Sequence, residues 1–389
     1  MLTLAPAHRP EAKPCPLVSD ALSQSVAALP AGPGRVVALV PAHNEQSAIG
    51  LALDSLRSQV RRPDLVIVIS DNCSDLTADV VIERGDALLL ATRANADKKA
   101  GALNQVLVRL LPLLRDDDAI LVMDADSALD AGFVHAALGH LGTREISRSK
   151  RIIGGVGGTF RGGPGGGFVG MLQRNEYARY ERDVHRLRGK VLVLTGTASL
   201  FQVRVLREVV AARAKGTLPG GQPLVYDTHV LTEDNELTLA LLHLGYGILS
   251  PKECVLETEI MMNWRDLWLQ RLRWKRGALE NLVDYGFTRV TARYWGRQVL
   301  THTGLLVTAA YLSTIVWSVA ASGTVHLHPF WACVTVVFAA ERVITVRSRG
   351  GLQMLFAAVL IVEMAFDIFL QVTQGKALWD TITHKKRQW

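Results

Sequence analysis

Two aspartates separated by one residue follow an apolar run near the middle of the first half of the chain. Residues 120–123 read Ile-Leu-Val-Met, which predicts a buried strand, and Asp124 and Asp126 come directly after it. Two carboxylates at a strand end are costly to bury without partners. At the carboxyl edge of an open α/β sheet they can hold a divalent cation through oxygen ligands, and the cation can bind a diphosphate. The alternative is a pair of solvated aspartates in a turn, because Asp-x-Asp is a short motif.

Carboxylates also follow other predicted strands. The apolar residues 35–40 lead to Glu45, and the apolar residues 65–69 lead to Asp71. Because the carboxyl ends of parallel strands meet at one edge of a sheet, we expect these side chains to converge on the crevice that holds Asp124.

Helical patterns separate these strands. We predict helices that end near residues 59 and 84, a weaker strand over 87–91, and a helix over 98–114. Strands that alternate with helices imply right-handed crossover units and an α/β fold with a mostly parallel, Rossmann-like sheet.

Glycine is concentrated in residues 154–170, with a spacing that fits neither a P-loop nor a dinucleotide fingerprint. We predict a flexible surface loop there, although a phosphate cradle is the alternative. A charged helix over 174–188 and a strand over 198–203 follow.

Two acidic residues, Glu233 and Asp234, open a predicted helix that runs to about residue 244. Carboxylates suit the positive N-terminal end of a helix, where they tend to stay ionised. Thr232 or a neighbour can cap this helix, and simple capping is the alternative to a chemical role.

Composition narrows the class of protein. The 389 residues are 49% hydrophobic and carry a net charge of +7. This basic balance suits an anionic membrane surface or a nucleotide diphosphate, and no nucleic-acid motif is present, so we do not predict a nucleic-acid partner. The four cysteines are scattered without a Cys-x-x-Cys pair, which indicates neither a disulfide framework nor a zinc site.

The C-terminal part is more apolar. Residues 264–275 form an amphipathic pattern with basic neighbours, typical of a helix at a membrane surface. Three apolar stretches follow at 300–321, 330–344 and 352–372, of which the first and third are long enough to span a bilayer. Glu363 and Asp367 lie four residues apart in the third stretch, so they share one helix face and are expected to face a protein interior or an aqueous path.

Several motifs occur together in a fixed order. They are Pro41-Ala-His-Asn-Glu45, Asp71, Lys99-Ala-Gly-Ala-Leu-Asn104, Asp124-Ala-Asp126, Thr232-Glu-Asp234 and Gln270-Arg-Leu-Arg-Trp274. Over residues 35–275 the chain resembles the processive membrane glycosyltransferases of family 2, which include cellulose, chitin and hyaluronan synthases and nodulation N-acetylglucosaminyltransferases. The resemblance implies a GT-A fold and an inverting transfer from a nucleotide diphosphate sugar. Asn72-Cys73 stands where relatives usually carry Gly-Ser, which is expected to alter the turn and not the contact of Asp71.

The resemblance also implies residue roles. Ala42, Glu45 and Asp71 would hold the nucleoside, and Lys99 and Asp124 would contact the nucleotide or its diphosphate. Asp126, together with Asp124, would ligate Mg²⁺ or Mn²⁺, and Asp234 would be the general base. Substrate contacts are further expected from Glu233, from Gly196 and Thr197 beside the acceptor, from Gln270, from Arg271 and Arg273 at the diphosphate, and from Trp274 on the acceptor sugar.

The predicted organisation has five parts. Residues 1–34 are expected to be poorly ordered, without a signal sequence or membrane helix, and residues 35–260 to form a GT-A domain. Amphipathic interfacial helices are expected over 261–298, a region with two to three membrane spans over 299–375, and a basic surface tail over 376–389. The catalytic domain is expected on the cytoplasmic side of a multi-pass protein in the cell membrane.

The expected function is transfer of a hexose or N-acetylhexosamine, from UDP-glucose or UDP-N-acetylglucosamine, to a growing β-linked saccharide. Two alternatives stay open: a single addition to a lipid or polyprenyl phosphate, and an inactive nucleotide-binding subunit of a membrane complex. Membrane lipids are expected partners, together with a second copy of the chain or an export protein.

Overall fold

Short apolar runs form the strands of two sheets, and helices connect most of them. A computed structural model describes residues 18–32, 34–145, 150–323 and 329–386. The strands are β1 (Val36–Ala42), β2 (Leu65–Ser70), β3 (Leu88–Ala91), β4 (Ala119–Met123), β5 (Ser127–Leu129), β6 (Ile153–Gly157), β7 (Thr159–Gly162), β8 (Ala198–Gln202), β9 (Gly247–Leu249) and β10 (Val255–Thr258). The helices are α1 (Val18–Ala27), α2 (Ile49–Arg57), α3 (Thr77–Arg84), α4 (Lys98–Leu110), α5 (Phe133–His140), α6 (Gly167–Arg186), α7 (Val203–Ala214), α8 (Glu233–His243), α9 (Trp264–Tyr285), α10 (Ala292–Ser322), α11 (Pro329–Val346), α12 (Gly351–Ala358) and α13 (Leu360–Ile382).

The central sheet has seven strands in the order β3-β2-β1-β4-β8-β6-β9. Strand β8 runs antiparallel to its neighbours β4 and β6, and the other pairs are parallel. The prediction of an α/β fold with a mostly parallel sheet is therefore confirmed. Because Ala198 pairs with Met123, β8 begins at the edge where β4 ends. The carboxyl ends of β1, β2 and β4 and the segment before β8 thus meet at one place.

Both faces of this sheet are covered, which explains the continuous apolar run of β1. Val37 and Leu39 lie in a core shared with α4 and α7, whereas Ala38 and Val40 lie in a core shared with α2 and α5. A strand that is buried on both faces has no polar alternation. Leu39 is fully buried, and its truncation to alanine is expected to cost about 2–5 kcal/mol of stability.

The glycine-rich residues form strands, so the prediction of a flexible loop over 154–170 is wrong for β6 and β7, and the first residues of α6 also fall in this range. The glycines are needed for close packing. A Cβ on Gly155 would lie 2.6 Å from Cδ1 of Leu194, and one on Gly158 would lie 2.5 Å from Cδ2 of Leu256. Neighbouring side chains occupy the space that a larger residue would need. Glycine therefore allows these strands to pack directly against them.

A second sheet of three strands, in the order β5-β10-β7, begins directly after the Asp-Ala-Asp motif. Strand β10 pairs antiparallel with β5, so Thr258 lies opposite Ser127. This pairing brings Thr258 and the next residue, Glu259, to the same edge as Asp126.

The N-terminal segment is more ordered than expected. Residues 1–34 were predicted to be poorly ordered, but residues 18–27 form α1, and its Leu22 and Val26 are buried in the core that contains α4. An apolar face on a short helix is sufficient to anchor it there. Residues 1–17 and 33 lie outside the described residues.

The C-terminal apolar stretches differ from one another. Among the described residues, α10 is the single helix long and apolar enough to cross a membrane by length and composition. The stretch at 330–344 lies within α11, and the stretch at 352–372 is divided at Val359 between α12 and α13. The expectation of two to three spans is thus supported for one candidate helix. The end of the predicted tail, residues 387–389, lies outside the described part of the chain.

The acids of the third stretch pair with arginines. Glu363 accepts a 2.6 Å hydrogen bond from Arg179 of α6, and Asp367 accepts one of 2.6 Å from Arg342 of α11. Glu363 also accepts from Asn175 of α6 at 3.1 Å. We call Arg179, Arg342, Glu363 and Asp367 the acid–arginine cluster. Glu363 and Asp367 therefore lie on one face of α13 that is directed into the protein, as expected.

Candidate active site

The two aspartates after β4 lie in a polar crevice. Asp124 forms an ion pair with Lys99, and its backbone N–H donates to the carbonyl of Thr197 at 3.0 Å. Asp126 accepts a 3.1 Å hydrogen bond from the hydroxyl of Ser127. Burial, followed by the charge of Asp124, raises the pKa of Asp126 to about 6. Two partly buried carboxylates close to each other thus favour the binding of positive charge.

This donor set fits a divalent cation. Carboxylate oxygens are the ligands that Mg²⁺ and Mn²⁺ prefer. Within the described residues, no three or more Asp, Glu, His or Cys side chains converge closely enough to hold a metal by themselves. A pair of aspartates leaves coordination positions for phosphate oxygens, as is usual where Mg²⁺ binds together with a nucleotide.

Lys99, at the start of α4, is a fixed positive charge beside Asp124. Its ammonium donates to the carbonyl of Gly196 at 3.0 Å and lies 3.7 Å from Oε1 of Glu233. Burial opposes the charged form, but the negative charges of Asp124 and Glu233 outweigh it and raise the pKa of Lys99. The residue therefore stays protonated and links β4 to α8.

Asp234 lies in the first turn of α8, close to the same ammonium. Its Oδ2 accepts the backbone N–H of Gly196 at 2.8 Å, and its Oδ1 accepts that of Asn235 at 2.7 Å. Burial, followed by the charge of Glu233, raises the pKa of Asp234 to about 6. The carboxylate is thus oriented by two N–H groups and ionised at neutral pH. Thr232 makes no side-chain cap to α8, and its hydroxyl instead accepts from Asn281 at 3.2 Å.

The end of β2 forms a second polar pocket. Oδ1 of Asp71 accepts from the hydroxyl of Thr92 and the amide of Asn95, each at 2.8 Å, and from Asn72 at 3.2 Å. The backbone N–H of Asp71 donates to the carbonyl of Ala42 at 2.8 Å. Oδ1 is therefore occupied by three donors, whereas Oδ2 accepts no hydrogen bond from the described residues. Thr92 and Asn95 were not predicted; their signal is a polar pair after the weak strand β3.

Glu45 and Glu259 bring further negative charge to the cation region. Burial, then the charges of Asp126, Glu259 and Asp124, raise the pKa of Glu45 to about 7. The structure places Glu45 within electrostatic range of the Asp-Ala-Asp motif, and its contact with the nucleoside stays a prediction. Glu259 was not predicted, although a carboxylate directly after a short strand is the same signal that identified Asp71.

The Gln-Arg-Leu-Arg-Trp motif on α9 divides into a buried and an exposed part. The side chain of Arg273 is exposed and close enough to Lys98 that its charge, after burial, lowers the pKa of that lysine. The contact of Arg273 with a diphosphate stays a prediction. Arg271, predicted at the diphosphate, is instead 2% exposed and paired with Glu176 of α6 at 2.8 Å. Gln270 accepts a hydrogen bond from Arg271 at 2.5 Å, and Trp274 is half-buried.

The predicted interfacial helix packs on protein. The rings of Trp264 and Trp268 lie 5.2 and 5.6 Å from that of Phe369 on α13, in edge-to-face geometry. The aromatic side chains that indicated a membrane surface thus cover an interface between α9 and α13.

A sheet whose strand ends hold Asp-Ala-Asp, an adjacent lysine and an acidic helix start defines a GT-A transferase, an α/β enzyme that uses nucleotide sugars. The family model for glycosyltransferase like family 2 matches residues 33–277, and the chain belongs to this family. The resemblance found in the sequence is therefore confirmed.

Two curated relatives illustrate the family. The chain is 26% identical over 253 residues to the probable glycosyltransferase YdaM of Bacillus subtilis, which covers 62% of this chain and 55% of that protein. It is 25% identical over 263 residues to the poly-β-1,6-N-acetyl-D-glucosamine synthase of Staphylococcus aureus, which covers 66% of this chain and 58% of that protein. The chain therefore matches little more than half the length of these relatives.

A solved structure with the same fold is the mannosyltransferase PcManGT of Pyrobaculum calidifontis in complex with GDP-Man and Mn²⁺. It aligns with a TM-score of 0.55 at 16% identity, over 95% of this chain and all of that one. At this identity the likeness shows the GT-A fold alone.

Proposed function

We propose that this protein is an inverting glycosyltransferase of the cytoplasmic membrane. It transfers a hexose or N-acetylhexosamine from a nucleotide diphosphate sugar, UDP-glucose or UDP-N-acetylglucosamine, to a growing β-linked saccharide. The observation that carries this proposal is the position of Asp234, held by the N–H of Gly196 beside the Lys99–Asp124 pair. The candidate base Asp234, the ammonium of Lys99 and the aspartates that would bind a metal ion thus lie close together.

The nucleotide is assigned to the crevice at the ends of β1 and β2. Oδ1 of Asp71 accepts hydrogen bonds from Thr92, Asn95 and Asn72. These contacts orient Oδ2 so that it can accept an N–H of the nucleobase. The diphosphate would lie between the Asp-Ala-Asp motif, Lys99 and Arg273. The name of the staphylococcal relative supports N-acetylglucosamine as the sugar.

Asp124 and Asp126 would hold Mg²⁺ or Mn²⁺, the latter being the ion in the similarly folded mannosyltransferase. When bound, the ion neutralises charge on the diphosphate and so makes it a better leaving group.

The residues of the chain supply the remaining chemistry. The carboxylate of Asp234 takes the proton of the acceptor hydroxyl while that oxygen forms a bond to the anomeric carbon. The bond from this carbon to the diphosphate oxygen breaks on the opposite face, so the configuration inverts and the nucleoside diphosphate leaves. Lys99 and Arg273 provide fixed positive charge where the departing oxygen becomes negative.

The acceptor is assigned to the side of Gly196, Thr197 and Trp274, with Glu233 and Gln270 at its border. We propose that α10 crosses the membrane and that α11 returns, so that residues 1–298 and Arg342 both lie on the cytoplasmic side, as the positive-inside tendency favours. Membrane lipids would then contact the exposed apolar side chains of α10. A second copy of the chain or an export protein is a further proposed partner.

A second candidate is a single addition to a lipid or polyprenyl phosphate. The acid–arginine cluster favours it, because α13 docks on α6 and α11 and is thereby held away from a path through the bilayer. An acceptor presented by the membrane surface needs no such path.

The test is to incubate membranes that contain the full chain with radiolabelled UDP-glucose, UDP-N-acetylglucosamine and GDP-mannose. Membranes with Asp234→Asn serve as the matched control. A water-soluble ladder of products supports polymer synthesis, whereas one labelled product that partitions into organic solvent supports lipid glycosylation. Nucleotide binding without any product would contradict both candidates. The remaining alternative would then be an inactive nucleotide-binding subunit of a membrane complex.

A further inference from the structure

Arg271 connects α6 to the acceptor end of the motif on α9. Its guanidinium donates to Oε2 of Glu176 at 2.8 Å and to the hydroxyl of Tyr177 at 3.5 Å. On the other side, it donates to Oε1 of Gln270 at 2.5 Å. The polar contacts of this arginine are therefore directed to three neighbours within the protein.

Two aromatic rings lie against the same guanidinium. Its central carbon is 4.5 Å from the centre of the Trp274 ring and 5.6 Å from that of the Tyr177 ring. Tyr177 is itself fixed by Phe160, whose ring centre lies 4.6 Å away in edge-to-face geometry. A planar guanidinium stacks well on aromatic faces, so its orientation determines where the indole rests.

Glu176 is the charge that keeps this guanidinium in place. The side chain of Arg271 is 3% exposed, and a buried cation needs a hydrogen-bonded anion. The charge of Glu176 also acts on a second cation of α9, since it partly offsets the burial that lowers the pKa of Lys275. Loss of Glu176 would leave two cations near Trp274 without this counter-charge.

We propose that Glu176 is a positioning residue of the acceptor site, whose carboxylate fixes Arg271 so that Arg271 supports the indole of Trp274. This inference rests on the proposed function, because the acceptor sugar is what the indole would contact. Glu176 itself does not touch the reacting atoms.

The first test reads the position of Trp274 without any substrate. Hydroxyl-radical footprinting with mass spectrometry compares the full-length wild type with Glu176→Ala and Glu176→Gln. Oxidation of Trp274 should rise about threefold or more in Glu176→Ala, a factor that corresponds to the loss of one cation–π contact. The rise should be smaller in Glu176→Gln, because glutamine keeps an oxygen that accepts a hydrogen bond from Arg271. Trp264 and Trp268, on the same helix, are internal controls that should not change.

Glu181→Ala is the matched variant. Glu181 lies on the same helix and pairs with the exposed Arg161 at 2.8 Å, an ion pair that does not include Arg271. It should leave the oxidation of Trp274 and the transfer rate unchanged. Equal protection of Trp274 in Glu176→Ala and the wild type would overturn the proposal.

The second test uses UDP-N-acetylglucosamine with a β-1,6-linked N-acetylglucosamine tetrasaccharide. Glu176→Ala should raise the KM for the tetrasaccharide without changing the KM for the donor. Exposure of Trp274 together with an unchanged tetrasaccharide KM would overturn the acceptor role. A wild type that turns over no donor would instead contradict the proposed function, and the footprinting would then decide the positioning by itself.

Discussion

The backbone N–H of Gly196 donates a 2.8 Å hydrogen bond to Oδ2 of Asp234, and the carbonyl of the same glycine accepts from Lys99 at 3.0 Å. One peptide segment thus holds an acid at a helix start and a cation from another helix. A Cβ on Gly196 would lie 3.2 Å from the ammonium of Lys99 and 3.3 Å from Oδ2 of Asp234. A larger residue at position 196 would therefore have to displace the ammonium or the carboxylate by a few tenths of an ångström.

Asp234→Asn is expected to abolish transfer while nucleotide binding survives. The amide cannot take the proton of an acceptor hydroxyl, and loss of a general base lowers rates by about 10²–10⁴. The measurement is transfer of labelled sugar beside UDP binding by calorimetry on the same preparation. Turnover near the wild-type rate would remove Asp234 from the role of base.

The transfer rate is expected to fall in acid. Burial and Glu233 raise the pKa of Asp234 to about 6, and the base works only when deprotonated. The rate should therefore be constant above this pKa and decrease about tenfold per pH unit below it. Initial rates at saturating donor give the profile, and UDP binding at each pH separates a loss of base from a loss of affinity. A rate that stays flat to pH 5 would contradict a base with this raised pKa.

Asp126→Ala is expected to abolish both metal-dependent nucleotide binding and activity. The carboxylate that would ligate the cation is removed, and Asp124 alone provides too few oxygens to hold it. Binding of UDP is measured with and without Mn²⁺ for wild type and variant. Full activity of the wild type in excess chelator would make the Asp-Ala-Asp motif structural.

Trp274→Ala is expected to stop extension of an acceptor while membrane association and donor binding remain. The indole rests on Arg271, whereas the neighbouring Trp264 and Trp268 pack on Phe369, so the three tryptophans of α9 have separate surroundings. Product length, flotation with membranes and UDP binding are measured on one preparation, with Trp268→Ala as the comparison. Departure of the variant from the membrane fraction would favour an anchoring role.

The sequence predicts those features that depend on local pattern. The alternation of β1 to β4 with helices follows from apolar periodicity, and Asp71 and Asp124 follow from polar residues at strand ends. The strands β6 and β7 are not predictable this way, because glycine has low strand propensity and the need for it arises from Leu194 and Leu256 elsewhere in the chain.

The long-range ion pairs are a second feature that the local sequence pattern does not predict. Arg271 lies in a motif that suggests a phosphate contact, but its burial depends on Glu176, 95 residues earlier. The partner of Glu363 is Arg179, 184 residues earlier. Charge alone indicates that such residues need a counter-ion, and only the packing of α6 against α9 and α13 determines which one is available.

The acid–arginine cluster has a consequence for biosynthesis. Arg179 emerges from the ribosome long before Glu363, because it lies 184 residues earlier in the chain. An unpaired Glu363 would be costly to bury, so α13 can reach its final place only after α6 offers the arginine. The protein would therefore mature from its N-terminal end, with the last helix docking onto a finished enzyme surface.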